Sequence, residues 1–109
     1  MKFGLFGGAI ANSGDPGAVP GQGFKDFIEF NVEADALGYH SSFLVEHHFA
    51  GWNQVSATLN LLTWVAARTS QLRIGSAVMV LPWHNPVLLA EQAATLDLGS
   101  SGRFAFGVD

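Results

Sequence analysis

Leu72-Arg73-Ile74-Gly75-Ser76-Ala77-Val78-Met79-Val80-Leu81, followed by Pro82-Trp83-His84-Asn85-Pro86, is the stretch that decides the fold. Its first ten residues are nearly continuously apolar and lack the alternation of a strand wetted on one face. That pattern predicts a strand of a parallel sheet covered on both sides. Pro82 closes the strand because it has no N–H for a ladder. Asn85 and Pro86 then open a helix, Asn as N-cap and Pro at the first helical position. A strand leading directly into a helix is the unit of which parallel sheets are made.

The same alternation extends in both directions. Downstream, the helix runs from Pro86 to Leu98 and Gly99 ends it. Ser100-Ser101-Gly102 turns the chain into a strand over Arg103–Val108. Upstream, Ala57, Leu61, Leu62, Val65 and Ala66 fall on one face of a helix over Ala57–Thr69, with Ser56 as N-cap. Before it lies a strand over Ser42–Val45. Phe27, Phe30, Ala34 and Leu37 give a helix over Phe24–Leu37, with Gly38 at the C′ position that favours a left-handed backbone. The first strand is Lys2–Phe6. The order β-α-β-α-β-α-β predicts right-handed crossovers and an α/β fold with a parallel sheet. One domain covers residues 1–109. A sheet ending on a bare fourth strand leaves an edge and apolar faces uncovered. The expectation is therefore the N-terminal portion of a larger barrel, or a chain that pairs with another copy.

Composition narrows the function. The chain has 109 residues, 49% hydrophobic and 13% charged, against about one quarter charged in an ordinary soluble domain. A complete (β/α)₈ barrel needs about 250 residues. Five Lys and Arg against nine Asp and Glu give a net charge of −4, which argues against nucleic acid or an anionic membrane as partner. The absence of cysteine excludes disulfides, thiolate metal sites and a cysteine nucleophile. Ala9-Ile10-Ala11 has the form of a signal-peptidase site, but Gly4, Gly7 and Gly8 interrupt the apolar stretch before it. A strand followed by a glycine-rich loop, Gly7 to Gly23, is the better reading. No apolar run approaches the roughly 18 residues of a membrane span. The expected location is the cytoplasm.

The sharpest cluster is Glu46-His47-His48-Phe49, at the C-terminal end of the second strand. That end is where parallel α/β folds bind ligands. Successive residues alternate faces, so one imidazole can look into the barrel mouth while its neighbour packs or orients it. Histidine moves protons near neutral pH. Contiguous residues on a strand diverge, so a metal site is not expected here. Phosphate-binding glycine motifs are absent. Trp83 is expected to pack and Glu91 to be solvated. Asp97 lies at the unfavourable end of its helix, and Arg103 is its expected partner.

Several stretches, in order, resemble the bacterial luciferase-like, flavin-dependent monooxygenase family. They are Met1–Phe6, Gly38-Tyr39 through Val45–Phe49, Arg73–Pro82, Asn85-Pro86-Val87, Ala90–Asp97, and Ser101–Phe104 through Gly107-Val108. The resemblance implies the first four strands of a TIM (β/α)₈ barrel. It implies an oxidoreductase that uses reduced FMN, supplied by a separate flavin reductase, and O₂ to oxidise a small organic substrate. His47 matches the family's acid/base histidine, with Glu46 and His48 beside it in the pocket. Ala77-Val78 match a non-proline cis peptide that lies against the flavin ring. Asp109 matches the next contact to the flavin's reactive edge, and Phe6 and Gly7 match residues lining the pocket. The family's phosphate-binding segment lies beyond the fourth strand. A related possibility is an F420-dependent dehydrogenase or reductase of the same superfamily. A different one is a non-catalytic flavin-binding or half-barrel module, with a homo-oligomer or the other barrel half completing the fold.

Overall fold

The computed structural model describes residues 1–11 and 16–109. Residues 12–15, inside the glycine-rich loop, lie outside the described residues. Four strands, β1 (Gly4–Gly7), β2 (Ser41–Leu44), β3 (Arg73–Ser76) and β4 (Phe104–Ala105), form one sheet in the order β1-β2-β3-β4. Every neighbouring pair is parallel. Between them lie α1 (Gln22–Ala36), α2 (Thr58–Arg68) and α3 (Pro86–Gly99), with single 3₁₀ turns at Gly51–Asn53 and Leu81–Trp83. This is the α/β alternation the sequence predicts.

One sheet face carries the core. Leu44, Ile74 and Phe104 are buried with Ile28 of α1, Leu62 and Val65 of α2, and Leu89 and Leu96 of α3. Phe6 and Phe43 occupy the alternate positions, paired across β1 and β2, and so belong to the opposite face. Phe6 is 73% exposed there.

The elements differ from the sequence reading where side chains outweigh pattern. β1 and β2 are shifted by one or two residues. β3 ends at Ser76 instead of Leu81, and the Ala77–Val78 peptide is cis. Beyond Ser76 the backbone still pairs, but singly: Met79 bridges to Val108 before the turn at Leu81–Trp83. β4 shrinks to two residues for the same reason. α2 starts at Thr58 with Ala57 at the cap position and no side-chain cap. Ser56 does not cap it. The buried Thr58 hydroxyl donates to the Val45 carbonyl at 3.0 Å, tying α2 to the end of β2.

α1 buries Ile28, Asn31 and Ala34, whereas Phe30 and Leu37, expected in the core, are 57% and 72% exposed. Both line a groove beside Leu5 at the outer edge of β1. Gly38 follows α1 at φ +81°, as its position predicts. Asn85 caps α3, its Oδ1 accepting from the N–H groups of Val87 and Leu88 at 3.1 Å. Arg103 does not pair with Asp97. Its guanidinium donates to the carbonyls of Ala66, Thr69, Leu72 and Ser100 and to the Thr69 hydroxyl. It closes the C-terminal end of α2, whose last carbonyls otherwise lack donors.

Candidate active site at the C-terminal rim

The four strands end together. Val45 N–H donates to Gly7, Ala77 N–H to Leu44, Met79 N–H to Gly107 and Asp109 N–H to Met79. These bonds bring Gly7, Glu46, Ala77, Val78 and Asp109 to one rim. Ala77 and Val78 are half-buried and Asp109 is exposed.

Glu46 is the centre of the rim. Its side chain is fully buried. Oε1 accepts from Nε2 of His48 at 2.5 Å and from Nε2 of His84 at 2.7 Å, and Oε2 accepts from the Val80 N–H at 2.7 Å. Burial pushes the carboxyl pKa up, but the bonds from His48, Val80 and His84 outweigh it and hold the value below the ordinary one. Glu46 is therefore an anion, and an ionised carboxylate only accepts. Both imidazoles must carry a proton on Nε2. Trp83, expected to pack inside, is 60% exposed and lies over His48 with ring centroids 5.0 Å apart. The turn Leu81–Trp83 projects it there. Phe49 meets Trp83 edge-on at 6.1 Å.

His47 belongs to a different set of contacts. Its backbone makes an antiparallel bridge with Val55, at 2.9 and 3.0 Å. Asn53 Nδ2 donates to its Nδ1 at 3.2 Å, which leaves the neutral ring's proton on Nε2. The ring is half-buried. Phe6 and Gly7 line a cleft of about 470 Å³ between β1 and α1, together with Phe27, Phe30 and Phe43.

The sequence places His84 beside Trp83 near the mouth but gives it no link to Glu46, and it gives no sign of Asn53. His84 reaches Glu46 across 38 positions, and its only local signal is its place between a strand end and a helix cap. Asn53 sits in a short turn with no sequence signature. Among the described residues no group of three or more His, Asp and Glu is arranged to hold a metal ion. No helix there is long and apolar enough to cross a membrane.

A parallel sheet with helices on one face and titratable groups at its C-terminal rim defines a segment of an α/β barrel of the enzyme type. The chain belongs to the luciferase-like monooxygenase family, whose model matches residues 1–108. It is 34% identical over 103 residues to a 4-hydroxyprotoasukamycin monooxygenase of Streptomyces nodosus subsp. asukaensis, covering 94% of this chain and 28% of that protein. The fold is similar to the oxygenating constituent of 3,6-diketocamphane monooxygenase of Pseudomonas putida, a type II Baeyer-Villiger enzyme solved with FMN. There the TM-score is 0.86 at 26% identity, covering 100% of this chain and 29% of that one. A coenzyme F420-dependent tetrahydromethanopterin reductase of Methanopyrus kandleri shares the fold, with a TM-score of 0.67 at 21% identity over 98% of this chain and 26% of that one. The chain thus spans less than a third of the length of these relatives.

The residues present fit a flavin ring better than a flavin phosphate. The exposed face of Phe6, the half-buried Phe43 and the open space at Gly7 form an apolar surface suited to a flat ring. The cations are elsewhere: Lys2 and Arg73 at the opposite strand ends, Arg68 paired with Glu29, and Arg103 closing α2. Lys25, in the first turn of α1, is the single one toward the rim among the described residues.

Proposed function

We propose that this chain supplies the acid/base side of a flavin-dependent monooxygenase site, acting with reduced FMN and O₂ on a small organic substrate. His47 carries this reading: a half-buried imidazole at the C-terminal rim whose Nδ1 is engaged by Asn53 and whose Nε2 has no hydrogen-bond partner among the described residues. Bound reduced flavin supplies the electrons for O₂ activation. Phe6, Gly7, Ala77 and Val78 would wall a bound ring, with Asp109 beside it at the rim. His47 holds a proton at Nε2 toward the bound molecules. The Asn53 amide can serve either charge state of His47, donating to the neutral ring and accepting from the charged one after a flip. The apolar faces of Phe6 and Phe43 would shield the reacting atoms from water once a ring covers them. The other barrel half and a separate flavin reductase complete the reaction, in the cytoplasm.

Stopped-flow mixing of photoreduced FMN with air-saturated buffer tests this. The protein is expected to change the course of flavin reoxidation from that of free reduced FMN. Reoxidation identical to free flavin, together with O₂-independent hydride transfer to F420, would replace this reading with the F420-dependent one. Flavin binding with neither reaction would leave a binding module.

A further inference from the structure

The turn that follows β3 is fastened to the rest of the rim at one side chain. Among the described residues, the hydrogen bonds that carry residues 80–84 to another segment both end on Glu46. The Val80 N–H donates to Oε2 and His84 Nε2 to Oε1, each at 2.7 Å. The other bonds of the turn stay inside it, from the Trp83 N–H to the Val80 carbonyl and from the His84 N–H to the Leu81 carbonyl. Glu46 also accepts from His48, whose ring lies against Trp83 of the same turn. The carboxylate that gathers these contacts is fully buried.

We propose that Glu46 is the positioning residue of this turn: by accepting from Val80 and His84 it fixes residues 77–80, and with them the Ala77-Val78 wall against which a flavin ring would lie. The wall part of this rests on the function proposed above. Val78 has no hydrogen-bond partner among the described residues, so its neighbours set its place. On one side Ala77 donates to the Leu44 carbonyl at the end of β2. On the other, Met79 makes the last bridge of the sheet, to Val108, and Val80 lies beyond it with the carboxylate as its partner. Glu46 thus ends the run that the sheet begins.

A carboxylate suits this place because all three of its partners donate and it only accepts. Glutamine can keep the essential part. Its one oxygen can accept from the Val80 N–H, which cannot change role. Its NH₂ can donate to the imidazoles, which can offer it a lone pair by exchanging tautomers. Alanine can do neither, and leaves the Val80 N–H without a partner. The turn therefore requires an acceptor at position 46, and not a charge as such.

Amide hydrogen exchange, followed by NMR in the wild-type chain, Glu46→Ala and Glu46→Gln, tests this. In the wild type the Val80 amide is expected to be protected although it lies beyond the sheet. Glu46→Ala is expected to speed its exchange by about tenfold or more, as for a lost bond to a charged acceptor. The Val78 methyl signals shift with it, while the Ile74 amide keeps its rate. Glu46→Gln is expected to stay within about threefold of wild type at Val80, since one acceptor remains. In anaerobic titration with reduced FMN, Glu46→Ala is expected to raise the Kd by about fivefold or more, because a loosened wall must be ordered on binding. Glu46→Gln is expected to leave it near the wild-type value. Val80 exchange that Glu46→Ala leaves unchanged, or that rises only in step with Ile74, would overturn the proposal. So would an unchanged Kd in Glu46→Ala, or losses in Glu46→Gln equal to those in Glu46→Ala. If Glu46→Ala fails to fold, the protection of Val80 in the wild type and in Glu46→Gln decides. A wild-type chain that does not bind reduced FMN would defeat the function proposed above, and the exchange rates would still decide the positioning.

Discussion

The ring of Phe43 fills the space that a side chain on Gly75 would need. A Cβ at Gly75 would fall within the van der Waals shell of that ring and 2.9 Å from the Ala105 carbonyl. β2, β3 and β4 can hold their register with Phe43 lying across the sheet because position 75 has no side chain. Gly75→Ala is expected to destabilise the fold by about 1–3 kcal/mol, the usual cost of overpacking. Urea denaturation at pH 7 measures it. A cost below about 0.5 kcal/mol, within the ordinary range for surface positions, would show that the ring moves aside freely.

Asp35 closes the turn into β3. It accepts from the N–H groups of Ser70 and Gln71 at 2.9 Å and of Leu72 at 2.6 Å. Burial raises its pKa, but those backbone bonds and the Ser70 hydroxyl outweigh it, so the value is lowered. A carboxyl lowered on folding stabilises the protein above its ordinary pKa, and loses that contribution as pH falls through the folded value. Asp35→Ala is expected to cost about 2 kcal/mol at pH 7, as for lost bonds to a charged acceptor. The gap between wild type and variant is expected to narrow below about pH 4. An equal gap at pH 7 and pH 3 would contradict the charge-based account.

Arg103 and Asp97 separate two explanations of the same turn. Arg103 donates to the end of α2, to Leu72 just before β3 and to Ser100, and not to Asp97. Arg103→Lys keeps the charge but cannot reproduce the planar fork. It is expected to lose about 2–3 kcal/mol, since partly buried carbonyls are left without donors. Asp97→Ala is expected to stay within about 0.5 kcal/mol. Thermal unfolding of both variants checks this, and similar losses in the two would restore the ion pair.

These contrasts show what the sequence could and could not reveal. The start of α3 was readable because Asn85 and Pro86 act locally on the first helical turn. The parallel order followed from alternating strands and helices, which local pattern also carries. The extent of β3 was not readable from pattern, because the apolar run continues through Ala77-Val78 while the pairing becomes single bridges. The exposure of Phe30 and Leu37 was hidden for another reason. Helical spacing defines a face but not what lies opposite it, and beside β1 they line an open groove. At the site, Glu46, His47 and His48 stand out as adjacent titratable residues. His84 joins them only through the fold, which brings the loop after β3 against the end of β2. The expected Arg103–Asp97 pair failed because sequence proximity said nothing of the α2 carbonyls nearby.

His47 and Glu46 are neighbours in sequence with separate partners, and this allows their roles to be told apart. His47 bonds to Asn53 through its side chain and to Val55 through its backbone, and makes no hydrogen bond to Glu46, His48 or His84. Removing its ring leaves the carboxylate cluster and the apolar walls in place. General acid–base groups typically contribute 10²–10⁴-fold to rate. In an active preparation, His47→Ala is therefore expected to lower kcat by about 10²-fold or more, while the Kd for reduced flavin changes by less than about threefold. Anaerobic flavin titration and steady-state oxidation, run on the same samples, give the two numbers. If binding and turnover fall together by the same factor, His47 is a wall of the pocket and not its proton donor.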